Sequence, residues 1–408
     1  MARTPRFVTA ETAARELGVT LATLYAYVSR GLIRSEPTGE KSRARRYHAE
    51  DVRRLKDRKE QRRDPERAAR SALHLGAPVL ESSITLIEGG RLFYRGFDAV
   101  ALARSRTIED VAALVWTGKP DGSVLPGAGR LPAPERDGYD PGHPGESFQR
   151  ALARAAGEAP DAYDLRPAPV VRSGVRILRI LAGAVSGEEA PEGRLAEVLG
   201  RAWAPAREEG VRLLDASMIL CADHELNASA FTARCAASAG ATPYGVVIAG
   251  LSSLGGARQS GGEVERVEAL FDEAARTGPR EALASRLRRG EGIPGFGHPL
   301  YPDGDPRGGA LLELLREMVP DSPGVALAER VARSARELLG EHPVVDFGLV
   351  AMARALGLPA RGAHAVFAIG RTVGFLGHAL EQYAVGRVVR PRARYVGPPP
   401  SDRLGSGA

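Results

Sequence analysis

A chain of 408 residues is longer than one ordinary domain and points to two or three. Apolar residues make up 43%, enough for a sizeable core, and Ala, Leu, Arg, Glu and Gly dominate, which favours helices over sheets. No apolar stretch reaches the ~18–20 residues of a membrane span. Met1–Ala10, with early arginines and Pro5, does not read as a secretory leader, and Cys221 and Cys235 form no CxxC pair, which excludes a disulfide framework. The expected setting is cytoplasmic, with no membrane partner.

The charge is unevenly spread. Residues 1–70 hold 18 Lys and Arg against 10 Asp and Glu, a net +8, so the other 338 residues carry −2 of the chain's +6. A basic head on a near-neutral body points to a polyanion partner for the head alone.

In chain order, Thr9 can cap a helix that runs to about Leu17 and stops at Gly18, with Ala13, Ala14 and Leu17 on its apolar face. Thr20 can cap a second, with Leu21, Leu24 and Val28 at helical spacing, ended by Gly31. Leu32-Ile33 leads into the polar stretch from Pro37 to Ser42, a turn or wing tip, then Arg43, Arg45, Arg46 and Tyr47. Two short helices and a basic wing form the arrangement that sets the second helix in a DNA groove. Thr9 to Leu55 resembles the MerR and excisionase type of winged helix-turn-helix, through Ala13-Ala14-Arg15-Glu16-Leu17-Gly18-Val19, Leu24-Tyr25-Ala26-Tyr27 and Arg46-Tyr47-His48. On that resemblance Thr23, Tyr27 and Arg30 face the groove or its phosphates, and Arg43, Arg45 and Arg46 grip phosphate. The competing reading is a solvated basic module used for subunit contacts.

Residues 56–76 are highly charged, broken by Pro65, and read as a helical linker; 119–145, rich in Pro and Gly, reads as a surface loop. From residue 172 helical periodicity dominates, and four interruptions carry chemistry. In Cys221-Ala222-Asp223-His224-Glu225-Leu226-Asn227, either Asn227 or Ser229 can cap the next helix and leave His224 beside free N–H groups, a place for a carboxylate. No second His or Cys stands at ligand spacing, so no metal is expected. Gly295-Phe296-Gly297-His298 brings an imidazole close to a ligand, and Arg307 can clamp a carboxylate. Asp346 lies in the apolar run Val344-Val345-Asp346-Phe347, where burial raises a carboxyl toward general-base range; the alternative is a helix-capping acid. Arg371, in an apolar helix, needs an anion or an exit to water, and Arg390-Pro391-Arg392 closes the series.

The order His–Asn, Gly-His–Arg, Val-Asp-Phe, Arg, Arg-Pro-Arg resembles citrate synthase across about 320 residues, and Glu81-Ser82-Ser83-Ile84-Thr85 with Tyr94-Arg95-Gly96-Phe97-Asp98 resembles the family's entry motif. The resemblance implies an all-α body, a large domain (77–262 and 366–400) and a small one (263–365), preceded by the winged helix-turn-helix at 1–64 and a charged linker at 65–76. It implies a homodimer whose lobes close over oxaloacetate, bound by His224, His298, Arg307 and Arg371, with Arg390 given by the neighbouring subunit. Asp346 falls at the position of the base that deprotonates the acyl methyl, and His298 polarises the keto carbonyl. No bound cofactor is implied; acetyl-CoA or another acyl-CoA is the cosubstrate.

One position departs from the family. Its Leu/Arg-His-Gly-Gly turn, whose histidine meets the thioester oxygen, reads Leu254-Gly255-Gly256-Ala257-Arg258-Gln259-Ser260-Gly261-Gly262 here. Gln259 or Ser260 takes the histidine's place, and Gln259 can donate a hydrogen bond there but no proton. The basic residues expected after the Gly-His turn are Pro299 and Pro302. Three functions compete: an acyltransferase making citrate or methylcitrate, a DNA-binding regulator that uses the body as a metabolite sensor, and a partner subunit that lends Arg390 to an intact synthase.

Overall fold

The computed structural model describes residues 7–38, 45–49, 51–52, 55–56, 80–133, 138–205 and 208–398. Arg43 and the linker expected at 65–76 lie outside the described residues. The chain divides into two compact units, Met1–Glu81 and Ser82–Ala408.

In the first unit the helices are Ala10–Leu17 and Leu21–Ser29, started by the side chains of Thr9 and Thr20 as expected. Gly18, at φ 59°, ends the first in the left-handed conformation that glycine adopts without strain. Strand Arg45–His48 pairs antiparallel with Phe7–Val8 on one side and Ser35–Pro37 on the other, the wing of a winged helix. Ala13, Leu17, Leu24, Ile33, Tyr47 and Val52 form its small core. Beside it Arg34 grips Asp51 through Nε and Nη2 at 2.9 and 3.0 Å.

The second unit is helical around one continuous core, with one small sheet among its described residues. That sheet was not anticipated: Thr85–Glu88, Arg91–Tyr94 and Phe97–Asp98 form an antiparallel meander over the entry motif. The helix Gly362–Val385 runs through the middle, buried from Gly362 to Ala379, and packs against Glu208–Cys221, Ala228–Ser238 and Pro243–Leu254. A helix apolar on all sides belongs in a core. Gly370 and Gly374 set its depth: a Cβ there would stand 2.4 Å from the Met218 carbonyl and 2.3 Å from the Ala222 carbonyl. Without side chains at these two positions, the helix lies directly on the end of Glu208–Cys221 and carries Arg371 to it. Among the described residues no helix is long and apolar enough to cross a membrane.

Candidate active site

Helix Glu208–Cys221 ends at the first motif, and Asp223 and His224 follow, both buried. Glu225 holds φ 52°, a left-handed conformation unusual for a residue with a side chain, and turns the chain so that Asn227 can cap Ala228–Ser238. Of the two caps expected, Asn227 is the one used; its Oδ1 accepts the Ala230 N–H at 2.9 Å.

The Gly-Phe-Gly-His turn reaches the same place from the far side of the sequence. Gly295 has φ 81°, and a Cβ on it would meet Val267 at 2.8 Å, so only glycine brings this turn in so close. The His224 and His298 rings stand edge to face, 5.2 Å between centroids. Tyr301 completes the group, its hydroxyl 3.0 Å from His224 Nε2. The Leu300 N–H donates to His298 Nδ1 at 3.1 Å, so the neutral ring carries its proton on Nε2. Burial, with Arg307, keeps the His298 pKa below the usual imidazole value, and burial with Arg307 and Arg371 holds His224 far below it. Both rings are therefore neutral near pH 7.

Arg307 opens the helix Pro306–Met318 and is buried. Asp305, its N-cap, takes Nε at 2.9 Å and Nη2 at 2.7 Å, leaving the remaining donors of the guanidinium uncommitted to this pair. Burial works against both charges, but their mutual attraction outweighs it: the Asp305 pKa is lowered and that of Arg307 raised. Asp305 also accepts the Val345 N–H at 3.2 Å, which ties this pair to the helix Val345–Leu356 that carries Asp346. Asp346 sits in the first turn of that helix and is not its cap; Val344 is. Burial pushes the Asp346 carboxyl up to about 6, against the Ser260 hydroxyl, which donates to Oδ1 at 2.6 Å.

Arg371 is wholly buried. Its Nε donates to the Cys221 carbonyl at 2.7 Å, while Nη1 and Nη2 have no hydrogen-bond partner among the described residues. Burial lowers its pKa, opposed by the nearby charge of Asp223. That carboxylate is itself held by Thr85 at 2.5 Å and His378 at 3.2 Å. A guanidinium buried with two open faces is costly unless an anion fills them.

The structure therefore gathers His224, His298, Arg307, Arg371 and Asp346, and adds Tyr301, Asp305 and Ser260. Asp305 was legible as a cap just before Pro306, and Tyr301 stood within the Gly-His motif. Gln259 is half-buried as the N-cap residue of Ser260–Thr277, with no side-chain cap bond. Arg390 stands outside the buried group, exposed on the segment that follows the last helix. On the first unit Thr23 bonds Thr20 through their hydroxyls at 3.0 Å, Arg30 is exposed, and Tyr27 packs on the core, whereas Tyr25, not singled out beforehand, is 52% exposed. Arg45 bonds Ser35, and Arg46 lies over the Phe7 ring at 4.2 Å while it meets Glu36 at 3.1 Å.

Buried imidazoles and guanidinium groups beside a carboxyl of raised pKa, on a mostly helical body, make up the candidate site. Residues 175–392 match the model of the citrate synthase C-terminal domain, and residues 8–63 match that of the MerR HTH family regulatory proteins. The citrate synthase of Haloferax volcanii is 31% identical over 79% of this chain and 94% of its own length, and the 2-methylcitrate synthase of Shewanella oneidensis is 29% identical over 77% and 91%. Among solved structures, citrate synthase from Thermotoga maritima aligns with TM-score 0.61 and 26% identity over 81% of this chain and 96% of its own. That from Thermoplasma acidophilum, solved with carboxymethyl coenzyme A and oxaloacetate, shares the fold at TM-score 0.68 and 21% identity, over 80% and 96%. The chain belongs to the citrate synthase family and carries a MerR-type helix-turn-helix domain at its N-terminus.

Proposed function

We propose that the body condenses an acyl-CoA, acetyl-CoA or propionyl-CoA, with oxaloacetate to give citrate or methylcitrate and free CoA. The observation that carries this reading is Arg371, buried with both Nη groups unpartnered beside His224 and Arg307. A dicarboxylate keto acid supplies the missing acceptors: one carboxylate for Arg371, another for the open donors of Arg307. Its keto oxygen then receives the Nε2–H of His298. Asp346 takes a proton from the acyl α-carbon, the carbanion attacks the keto carbon, the keto oxygen takes up a proton to become the hydroxyl, and water cleaves the resulting thioester. Gln259 is the candidate donor to the thioester oxygen but has no proton to transfer, so Gln259→His should raise turnover.

Arg390, exposed on its own chain, is the residue a second copy lends across a two-fold axis, with the lobes 77–262 plus 366–400 and 263–365 closing on the ligand. Prolines at 299 and 302 leave the CoA phosphates without the family's basic contacts there, which favours a different grip on CoA.

The MerR-type unit favours a second reading, in which the body senses oxaloacetate or acyl-CoA and changes how the head holds DNA. Thr23, Arg30, Arg45 and Arg46, together with Arg43, are its candidate contacts, with Tyr25 in place of the core-packed Tyr27. Thiol release from each acyl-CoA in the presence of oxaloacetate separates the readings. Turnover supports the enzyme. Oxaloacetate-dependent thermal stabilisation without turnover supports the sensor, and neither result removes both.

A further inference from the structure

We propose that Ser260, one of the two residues at the place of the family's loop histidine, is a positioning residue for the base: it holds Asp346 Oδ1 and leaves Oδ2 to face the acyl α-carbon. The bond is short, 2.6 Å, and the hydroxyl donates.

Ser260 is held where it stands by the loop before it. The Gln259 N–H returns to the Gly256 carbonyl at 2.9 Å, and the Gly262 N–H points to the same oxygen at 3.4 Å. A Cβ on Gly262 would lie 2.3 Å from the Ala257 carbonyl, so the curl closes only on glycine. Arg266 fastens the curl from the next turn, donating to the Ala257 carbonyl at 2.8 Å and to Glu263 at 2.6 Å. Glu263 in turn accepts the Gly295 N–H at 2.7 Å. The first turn of Ser260–Thr277 thus touches both halves of the chemistry: Ser260 on the base, Glu263 on the turn that carries His298. The short side chain of Ser260 thus reaches the carboxyl of Asp346 from a curl held by its own backbone bonds.

The consequence is a directed proton. A carboxylate with one oxygen already accepting a hydroxyl hydrogen takes its next proton on the other oxygen, and the serine bond survives protonation because Oδ1 remains an acceptor. The charged groups that act on Asp346 are Arg307, Asp305 and Glu263, of which only Arg307 favours the carboxylate; Ser260 adds to it. Loss of the hydroxyl should leave Asp346 harder to ionise and free to rotate.

The inference rests on the condensation reading for its kinetic arm only. A second arm needs no turnover: the carboxyl carbon resonances of the full chain, labelled at the aspartate side chains, are followed against pH, with Asp346→Asn assigning the peak. In Ser260→Ala the Asp346 midpoint should rise by about one pH unit, and Ser260→Thr, which keeps a hydroxyl, should restore it. If thiol is released, Ser260→Ala should lower kcat about tenfold and shift the acid limb upward by the same amount as the resonance, with the affinity for oxaloacetate unchanged. An unmoved resonance overturns the assignment. So does a loss of oxaloacetate affinity equal to the loss of rate, which marks Ser260 as a mere packing residue. Absence of turnover in the unmodified protein ends the condensation reading and leaves the resonance to decide Ser260.

Discussion

His224 and Tyr301 share a 3.0 Å hydrogen bond between Nε2 and the phenol oxygen, and burial keeps both groups uncharged near neutral pH. The bond orients the His224 ring without adding charge to a site that already holds Arg307 and Arg371.

Tyr301→Phe removes this orienting contact and no charge. A neutral hydrogen bond contributes about 1 kcal/mol, so the affinity for oxaloacetate should weaken about fivefold. Calorimetric titration checks it, with the melting temperature of the unliganded protein as control. A change in the unliganded melting temperature with unchanged affinity would show that the bond serves the fold and not the ligand.

Arg371→Met yields two effects of opposite sign. The native guanidinium is fully buried with two unpartnered Nη groups, a destabilising element that a flexible apolar chain of similar length removes. The unliganded variant should melt no lower than the original protein. Its affinity for oxaloacetate should fall about 100-fold or more, since two charge-assisted hydrogen bonds are lost. Paired melting curves with and without oxaloacetate test both at once. A variant that melts lower on its own yet still gains from oxaloacetate would mean that Arg371 is structural.

Much of this site was legible because its chemistry sits in local motifs. Helix caps at Thr9, Thr20 and Asn227 follow from side chains that satisfy nearby N–H groups, and Arg371 stood out as a charge in an apolar helix. The sheet over Thr85–Asp98 was passed over, although Gly89-Gly90 separates two apolar runs there, the pattern of a hairpin. Tyr27 was expected at the groove on the helix-turn-helix resemblance; it packs partly against the small core, and Tyr25 is the more exposed ring, a difference that depends on where the core lies. The Ser260–Asp346 bond joins residues 86 apart in sequence. No local pattern encodes such a distance; it required the folded loop.

Stability should depend on pH through Asp215, a buried acid that accepts the Ile108 N–H at 2.9 Å. Burial pushes its carboxyl up to about 7, with Glu109 adding to the rise and Arg194, 3.6 Å away, opposing it. The folded state binds this proton more tightly than the unfolded chain. Its stabilising contribution is therefore complete below the ordinary carboxyl range and is lost as pH rises through about 7. Asp215→Asn keeps an acceptor for Ile108 and abolishes the titration. Relative to the original protein, the variant should gain melting temperature between pH 5 and about pH 7 and level off above it; a constant difference across pH 5 to 8 would refute the assignment.

The head offers a test in which one charge removal weakens DNA binding and another strengthens it. Arg30 is exposed at the end of the second helix, whereas Arg46 is engaged by Glu36 at 3.1 Å, and Glu36 also meets His48 at 3.2 Å. Glu36 occupies one donor of Arg46 and lowers the positive potential a phosphate would meet there. Arg30→Ala should weaken binding to duplex DNA and reduce the slope of log affinity against log salt by about one, the loss of one phosphate contact. Glu36→Gln should strengthen binding at low salt, because it frees Arg46 and removes a negative charge from the same face. Retardation of random-sequence duplex across a salt series measures both. If Glu36→Gln leaves the affinity unchanged while Arg30→Ala lowers it, the wing does not reach the backbone and the second helix alone makes the contact; if the unmodified protein ignores duplex DNA at low salt, the head serves some other surface.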